Sequence, residues 1–300
     1  MEAKPKLLIT GVSGLLGGNL ARYFVDRYDV VGVYHRNRPS IPGVTLLQKD
    51  LSTEGAFEAD AFDGYSPAFI IHCAGEANVD VCEQDPDHAE RHICRMTISV
   101  SEFARKHGAH LISLSTDAVS DGSREYLKES DDLNPINEYG RVKVRTEQYL
   151  ASEHESSMIV RTRFYGNNIV DDKSFTEHLL KEFAQNHQVP CFTDNFCTQI
   201  YAINLAEILG ECIRKRLSGI FNIVEDKKFS RFDYAQLVAG VFGFSGNLIV
   251  PGSMSDLKSL APRPADTSLS NEKIKASIET EILPAVDGLA QMKRDLQRWH

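Results

Sequence analysis

Tyr139 and Lys143 stand four residues apart, and of the ten tyrosines only Tyr139 has a lysine at that interval. Asn134-Pro135 just upstream is a helix-start signal, with the asparagine as cap and the proline in the first turn. On such a helix the phenol and the amine lie one turn apart on one face. The chemistry this suits is carbonyl reduction: a proton must reach the oxygen as hydride arrives at the carbon. A phenol titrating near 10 exchanges protons poorly at neutral pH. A neighbouring ammonium stabilises the phenolate. A three-unit drop needs about 4 kcal/mol, the order that a lysine and a cationic nicotinamide supply in a dry cleft. The same amine can bond a nicotinamide ribose. The plain alternative is a tyrosine and a lysine on a solvated helix face.

A second hydroxyl source lies upstream. The apolar run Leu111-Ile112-Ser113-Leu114 ends in Ser115-Thr116-Asp117. A hydroxyl at a strand's C-terminal end can donate to a substrate carbonyl and steady a developing alkoxide. Thr116 is the first choice and Ser115 the second; capping or turn formation is the alternative use.

These groups need a hydride carrier, and the N-terminus offers a place for one. In Leu7-Leu8-Ile9-Thr10-Gly11-Val12-Ser13-Gly14-Leu15-Leu16-Gly17 a strand pattern ends in glycines spaced by three. Gly11 permits a tight turn, Gly14 lets a pyrophosphate approach the backbone, and Gly17 lets the helix sit close to the sheet. Ser13, Leu15 and Leu16 fall in the same cofactor-facing turn, where unpaired N–H groups meet an anion. The second strand ends Val33-Tyr34-His35-Arg36-Asn37-Arg38, without the acidic residue that holds a ribose 2′-OH. Arg36 or Arg38 can pair with a 2′-phosphate instead, which favours NADP(H) over NAD(H). Asp50, with Leu51 beside it, is a candidate for the adenine amine, or an ordinary turn aspartate.

The elements that position these groups follow from pattern. Leu7–Thr10, Val30–Tyr34, Val44–Leu47, Ala68–Cys73, His110–Leu114 and Met158–Val160 read as strands, several apolar on consecutive residues. Helical patterns lie between them near 15–27, 81–107 and 137–152. The alternation predicts an α/β fold, a doubly wound parallel sheet of Rossmann type over residues 1–165. Residues 166–300 change rhythm and predict a smaller substrate lobe, with helices near 174–187, 203–216 and 230–242 and strands at Gly219–Val224 and Asn247–Val250. A segment near 198–224 is expected to return to the sheet.

At 300 residues the chain can bury roughly three quarters of its unfolded surface. Its 42% apolar and 25% charged residues exclude wholesale disorder. With 33 basic against 42 acidic residues, the net charge of −9 argues against a general duplex-binding surface. Six cysteines without a CxxC pair read as reduced thiols, and no apolar run approaches a signal core or a membrane span, so a cytoplasmic protein is expected. His88 and His92 lie one turn apart near Asp85 and Glu90, a spacing that can share a metal. No third ligand is evident, so a charged solvent face is the reading and no metal is expected.

Together these segments resemble the extended short-chain dehydrogenase/reductase family, and within it the dTDP-4-dehydrorhamnose reductases. The likeness covers nearly the whole chain. It rests on the glycine turn, Ile71-His72-Cys73-Ala74 with Val79-Asp80, Ser115-Thr116-Asp117, Tyr139-Gly140-Arg141-Val142-Lys143, Val160-Arg161-Thr162 with Phe164-Tyr165-Gly166, and Ala261-Pro262-Arg263-Pro264-Ala265-Asp266-Thr267-Ser268-Leu269. The resemblance implies reduction of the C4 keto group of a nucleotide-linked 6-deoxy sugar. Tyr139 would be the acid, Lys143 its tuner and ribose ligand, and Thr116 the carbonyl donor. Cys73 and Ala74 would follow the cofactor ribose, Asp117 would face the substrate, and Arg263 would sit near its diphosphate. Two departures from the pattern stand out. Ile93 stands where relatives often carry a relay asparagine, and Ala118 and Ser120 stand where many carry an aromatic pair. An epimerase or dehydratase on the same fold, or a non-catalytic NADP-binding regulatory subunit, remains the alternative, and a homodimer is left open.

Overall fold

In a computed structural model, residues 3–57, 62, 64–170, 174–256 and 258–299 are described. Seven parallel strands form the central sheet. They are β1 (Lys6–Thr10), β2 (Asp29–Tyr34), β3 (Thr45–Gln48), β4 (Phe69–His72), β5 (His110–Leu114), β6 (Met158–Arg161) and β7 (Gly219–Asn222). Their order is β7-β6-β5-β4-β1-β2-β3, so the chain reverses direction across the sheet between β1 and β4. In such sheets ligands bind in the crevice at that reversal, beyond the strands' C-terminal ends.

The consecutive apolar residues of β1 explain its central place. Leu7 and Ile9 face one apolar cluster, with α1 (Leu15–Phe24) and the helix Ala202–Lys215. Leu8 faces the other, with the helix Met96–His107. Both faces are covered, so period-2 alternation in polarity is lost. A separate cluster joins the helices Phe175–Ala184, Arg231–Phe242 and Ala285–Trp299 with the parallel strands Val189–Phe192 and Ile249–Gly252. Three two-stranded sheets flank the main one. Among the described residues, no helix is long and apolar enough to cross a membrane.

Three expectations need correction, and one further helix goes beyond them. The helix expected over 81–107 is Val79–Gln84, Pro86–Ala89, a π-helical turn Glu90–Arg95, and Met96–His107. Pro86 has no N–H and forces Asp85 out of the helical region (φ −133°, ψ 84°), which breaks the run. The cap of the helix Glu138–Glu153 is Asn137, whose side chain accepts from Gly140 N at 2.9 Å, and not Asn134. The strand at Asn247–Val250 starts later, at Ile249, after a 3-10 turn. The helix Ala285–Trp299 was not anticipated.

The glycine turn is tight for a specific reason. Gly11 has φ +73°, and a Cβ there would lie 2.8 Å from Ala74 N. A Cβ on Gly17 would lie 2.4 Å from Gly11 O, so α1 touches the turn that precedes it. Gly17→Ala is expected to cost about 1–3 kcal/mol through overpacking against backbone. Chemical denaturation checks this, and a wild-type denaturation curve would refute the close approach.

Candidate functional site

The reacting end is built where the helix Glu138–Glu153 meets the C-terminal end of β5. Gly140 lets them touch: a Cβ there would lie 2.4 Å from Ala118 O. That contact brings Tyr139 beside Thr116, whose hydroxyl donates to Asp117 Oδ1 at 3.2 Å. Burial pushes the Tyr139 phenol up to about 12, opposed by the nearby Thr116 hydroxyl and reinforced by the Asp117 carboxylate. Lys143 lies one turn on. Its Nζ donates to Leu114 O at 3.0 Å and stands 6.0 Å from the Tyr139 ring centroid. Burial pushes this ammonium down to about 8, opposed mainly by the Glu147 carboxylate. Tyr139, Lys143 and Thr116, named separately from sequence, therefore share one place.

Beneath them lies a buried charge pair. Arg161 Nη2 meets Glu147 Oε2 at 2.7 Å, and Arg161 Nε reaches both carboxylate oxygens at 3.1 Å. The Ser115 hydroxyl donates to the same carboxylate. Ser115 is thus engaged below the site, which leaves Thr116 as the hydroxyl facing the cleft.

That cleft encloses about 600 Å3 and is lined by Thr116, Asp117, Tyr139, Arg163, Arg231 and Arg263, among others. Asp117 is held by Arg163 Nη1 at 3.1 Å and by the Thr267 hydroxyl at 2.6 Å. Arg263 pairs with Asp80 at 3.3 Å, and Asp80 also accepts from Ser259 Oγ and Ala261 N. Sequence reasoning missed Arg163, Arg231 and Thr267. Arg163 had a local signal, since it follows directly on Arg161-Thr162 at the end of β6. Arg231 had none.

A second groove of about 500 Å3 runs along the sheet's reversal point. Gly11, Ser13, Gly14, Arg36, Asp50, Leu51, Cys73 and Ala74 all line it, with His35 and Lys49. Leu15, Leu16 and Gly17 do not. The Leu16 side chain belongs to the core and Gly17 packs on Gly11, so only their backbone N–H groups are available to a ligand. Asp50 is partly spent: Oδ1 accepts from Ser52 N and Oγ, and Oδ2 stands 3.4 Å from His35 Nε2. One groove ends at Gly75-Glu76 and the other begins at Ala77-Asn78, so the segment after β4 edges both.

That segment is fixed by a hydrogen-bond chain. The Thr97 hydroxyl donates to Ile93 O at 2.7 Å, so it accepts from His72 Nε2 at 3.1 Å. His72 Nδ1 then accepts from Thr10 Oγ1, which itself accepts from Cys73 N and Ala74 N. Burial keeps this imidazole neutral, at about 3. The Ile93 side chain packs with Cys82 and Val142, with Tyr139 against the same cluster.

The histidine pair is otherwise occupied. His88 and His92 stack at 3.9 Å, His88 Nε2 meets Glu76, Asp85 caps a helix, and Glu90 pairs with Arg145. Among the described residues, no group of three His, Cys, Asp or Glu could hold a metal.

A sequence profile of the family described as RmlD substrate binding domain matches residues 5–298. The chain belongs to that family. This RmlD-family chain is 28% identical over 290 residues to the probable low-salt glycan biosynthesis reductase Agl14 of Haloferax volcanii, covering 95% of this chain and 96% of that one. It is 28% identical over 285 residues to a dTDP-4-dehydrorhamnose reductase of Aggregatibacter actinomycetemcomitans, covering 90% and 92%. It is also 24% identical over 281 residues to methionine adenosyltransferase 2 subunit beta of Danio rerio, covering 90% and 84%. In fold it matches the NADP complex of dTDP-4-dehydrorhamnose reductase from Bacillus anthracis, with a TM-score of 0.85, 23% identity, and 97% and 99% of the chains covered. The α/β, doubly wound reading and the family resemblance are borne out.

Proposed function

We propose that this RmlD-family chain is an NADPH-dependent reductase of a sugar-nucleotide keto group, acting on a nucleotide-linked 4-keto-6-deoxy sugar. The observation that carries the reading is the Tyr139–Thr116 hydroxyl pair with Lys143 behind it, facing a cleft that adjoins a glycine-edged groove.

The groove suits a dinucleotide. Gly11 leaves no room for a side chain beside Ala74, the first N–H groups of α1 are open to a pyrophosphate, and Arg36 and Lys49 stand at the far end. A reduced nicotinamide bound there supplies hydride to the carbonyl carbon. Thr116 orients the carbonyl oxygen. Tyr139, a protonated phenol at neutral pH, gives that oxygen its proton. Lys143 stabilises the phenolate left behind and bonds the ribose. Cys73 and Ala74 edge the ribose site, and Arg263 lies on the substrate side.

A dehydratase needs a free carboxylic acid near the hydroxyls. Asp117 is tied by Arg163 and Thr267, which disfavours that use. Six free thiols suit a cytoplasmic place.

The test is NADPH oxidation against dTDP-, UDP- and GDP-linked 4-keto-6-deoxy sugars. Turnover supports the reading. Cofactor binding without turnover on any of them refutes it and favours a regulatory subunit. Arg36→Ala is expected to weaken NADPH about ten-fold or more while barely changing NADH, because only the former loses a charge-assisted phosphate contact. Equal losses for the two cofactors would sink the 2′-phosphate assignment.

A further inference from the structure

Three guanidiniums line the cleft, and two are matched by carboxylates. Arg163 meets Asp117 at 3.1 Å, and Arg263 meets Asp80 at 3.3 Å. Arg231 has no ion pair and no side-chain hydrogen bond among the described residues; its guanidinium lies 4.6 Å from the Phe175 ring centroid. The place is unfavourable for a cation in three respects. Arg231 opens the helix Arg231–Phe242, whose N-terminal end carries the positive pole of the dipole. Partial burial and like-charged Arg163 push the guanidinium down to about 10, with the Asp117 carboxylate among the groups that oppose them. Ser230 already caps the helix through Asp233 N at 2.9 Å, so the fold has no need of an arginine there. A guanidinium with no carboxylate bonded to it, on a cleft wall, is placed to meet an anion.

We propose that Arg231 is a substrate-binding residue that grips an oxyanion of the substrate, on the cleft wall built by the second apolar cluster. Arg163 cannot serve equally, because it bonds Asp117 directly, whereas Arg231 feels that carboxylate only at longer range. Arg263 is likewise committed to Asp80, which also clamps Ser259 and Ala261. The oxyanion belongs either to the nucleotide's diphosphate or to a carboxylate on the sugar. The proposal rests on the reductase reading for the identity of the substrate, but the contact itself is measurable without turnover.

The experiment titrates dTDP, UDP and GDP into the full-length wild type, Arg231→Met and Arg231→Lys by calorimetry. NADPH affinity and Tm are measured on the same preparations. Arg231→Met is expected to bind the preferred diphosphate at least ten-fold more weakly, with Arg231→Lys between. NADPH affinity should be unchanged, and Tm unchanged or higher. If the diphosphates bind alike, kcat/KM is compared on neutral and uronate-bearing sugar nucleotides. A ten-fold loss confined to the uronate supports the proposal and assigns the oxyanion to the sugar. Equal diphosphate binding with equal kcat/KM on both classes overturns it, as does a lower Tm with ligand binding intact. Should the Met variant fail to fold, Arg231→Lys against wild type carries the same comparison. Failure of the reductase reading looks different: the wild type oxidises no NADPH while diphosphate binding still depends on Arg231.

Discussion

Tyr139→Phe is expected to lower kcat by about three orders of magnitude while NADPH affinity stays within about two-fold. The direction of the reaction explains why the proton matters so much. The phenol is held at about 12 by burial, with Asp117 adding to the shift. It is therefore protonated at neutral pH, an ineffective base but a ready donor to an alkoxide. The phenolate it leaves must then be stabilised. At the 6.0 Å between Lys143 Nζ and the ring centroid, and an effective dielectric of about 20, the attraction is about 3 kcal/mol, near two pKa units. Lys143 supplies this only while charged, and burial brings it down to about 8. The kcat/KM for reduction should therefore be flat through neutral pH and fall as pH rises through about 8, since that ratio reports groups of the free enzyme. Lys143→Met should remove the fall along with most of the rate. A Tyr139→Phe variant with wild-type turnover, or a rate that climbs above pH 8, would refute the acid assignment.

The parts of this site that lie within one stretch of chain were legible from the sequence. The glycine turn, the Tyr139/Lys143 interval and the hydroxyls after β5 each depend on local backbone geometry, which spacing encodes. The arginines were not, because their meaning depends on what meets them. Arg163 comes from the end of β6 and Arg231 from a helix 68 residues later, and no local pattern announces that they share a wall with Thr116. The long helix over 81–107 failed for a different reason. Its apolar periodicity survives the break, but Pro86 overrides it through a missing donor, and the π turn Glu90–Arg95 shifts the phase. The final helix had a readable signal in Ala285, Leu289 and Met292, spaced by four and three after Pro284. The pairing of β7 with β6 was foreshadowed only as a segment near 198–224, since parallel pairing is non-local and periodicity cannot give its register.

Arg161→Met is expected to destabilise the fold by about 3–5 kcal/mol, lowering Tm by roughly 6–15 °C. The two side chains are 1% and 3% exposed, so the Glu147 carboxylate left behind cannot recover its hydration. Its remaining hydrogen-bond partner among the described residues is the Ser115 hydroxyl, and the Lys143 ammonium one turn away attracts it without bonding it. Removing both charges should cost far less than removing one: Arg161→Met with Glu147→Leu is expected to regain most of the loss. The pair also reaches the chemistry. Glu147 is one helical turn beyond Lys143 and is the main group holding that ammonium charged against burial. In the double variant Lys143 should lose its proton more readily, so the fall in kcat/KM should begin at a lower pH than in the wild type. Chemical denaturation measures the first effect and a pH–rate profile the second. If Arg161→Met unfolds at the wild-type midpoint, the pair is not a buried charge couple. If the double variant keeps the wild-type pH profile, Glu147 does not tune the lysine, and the coupling between the floor of the site and its proton donor fails even where the stability argument holds.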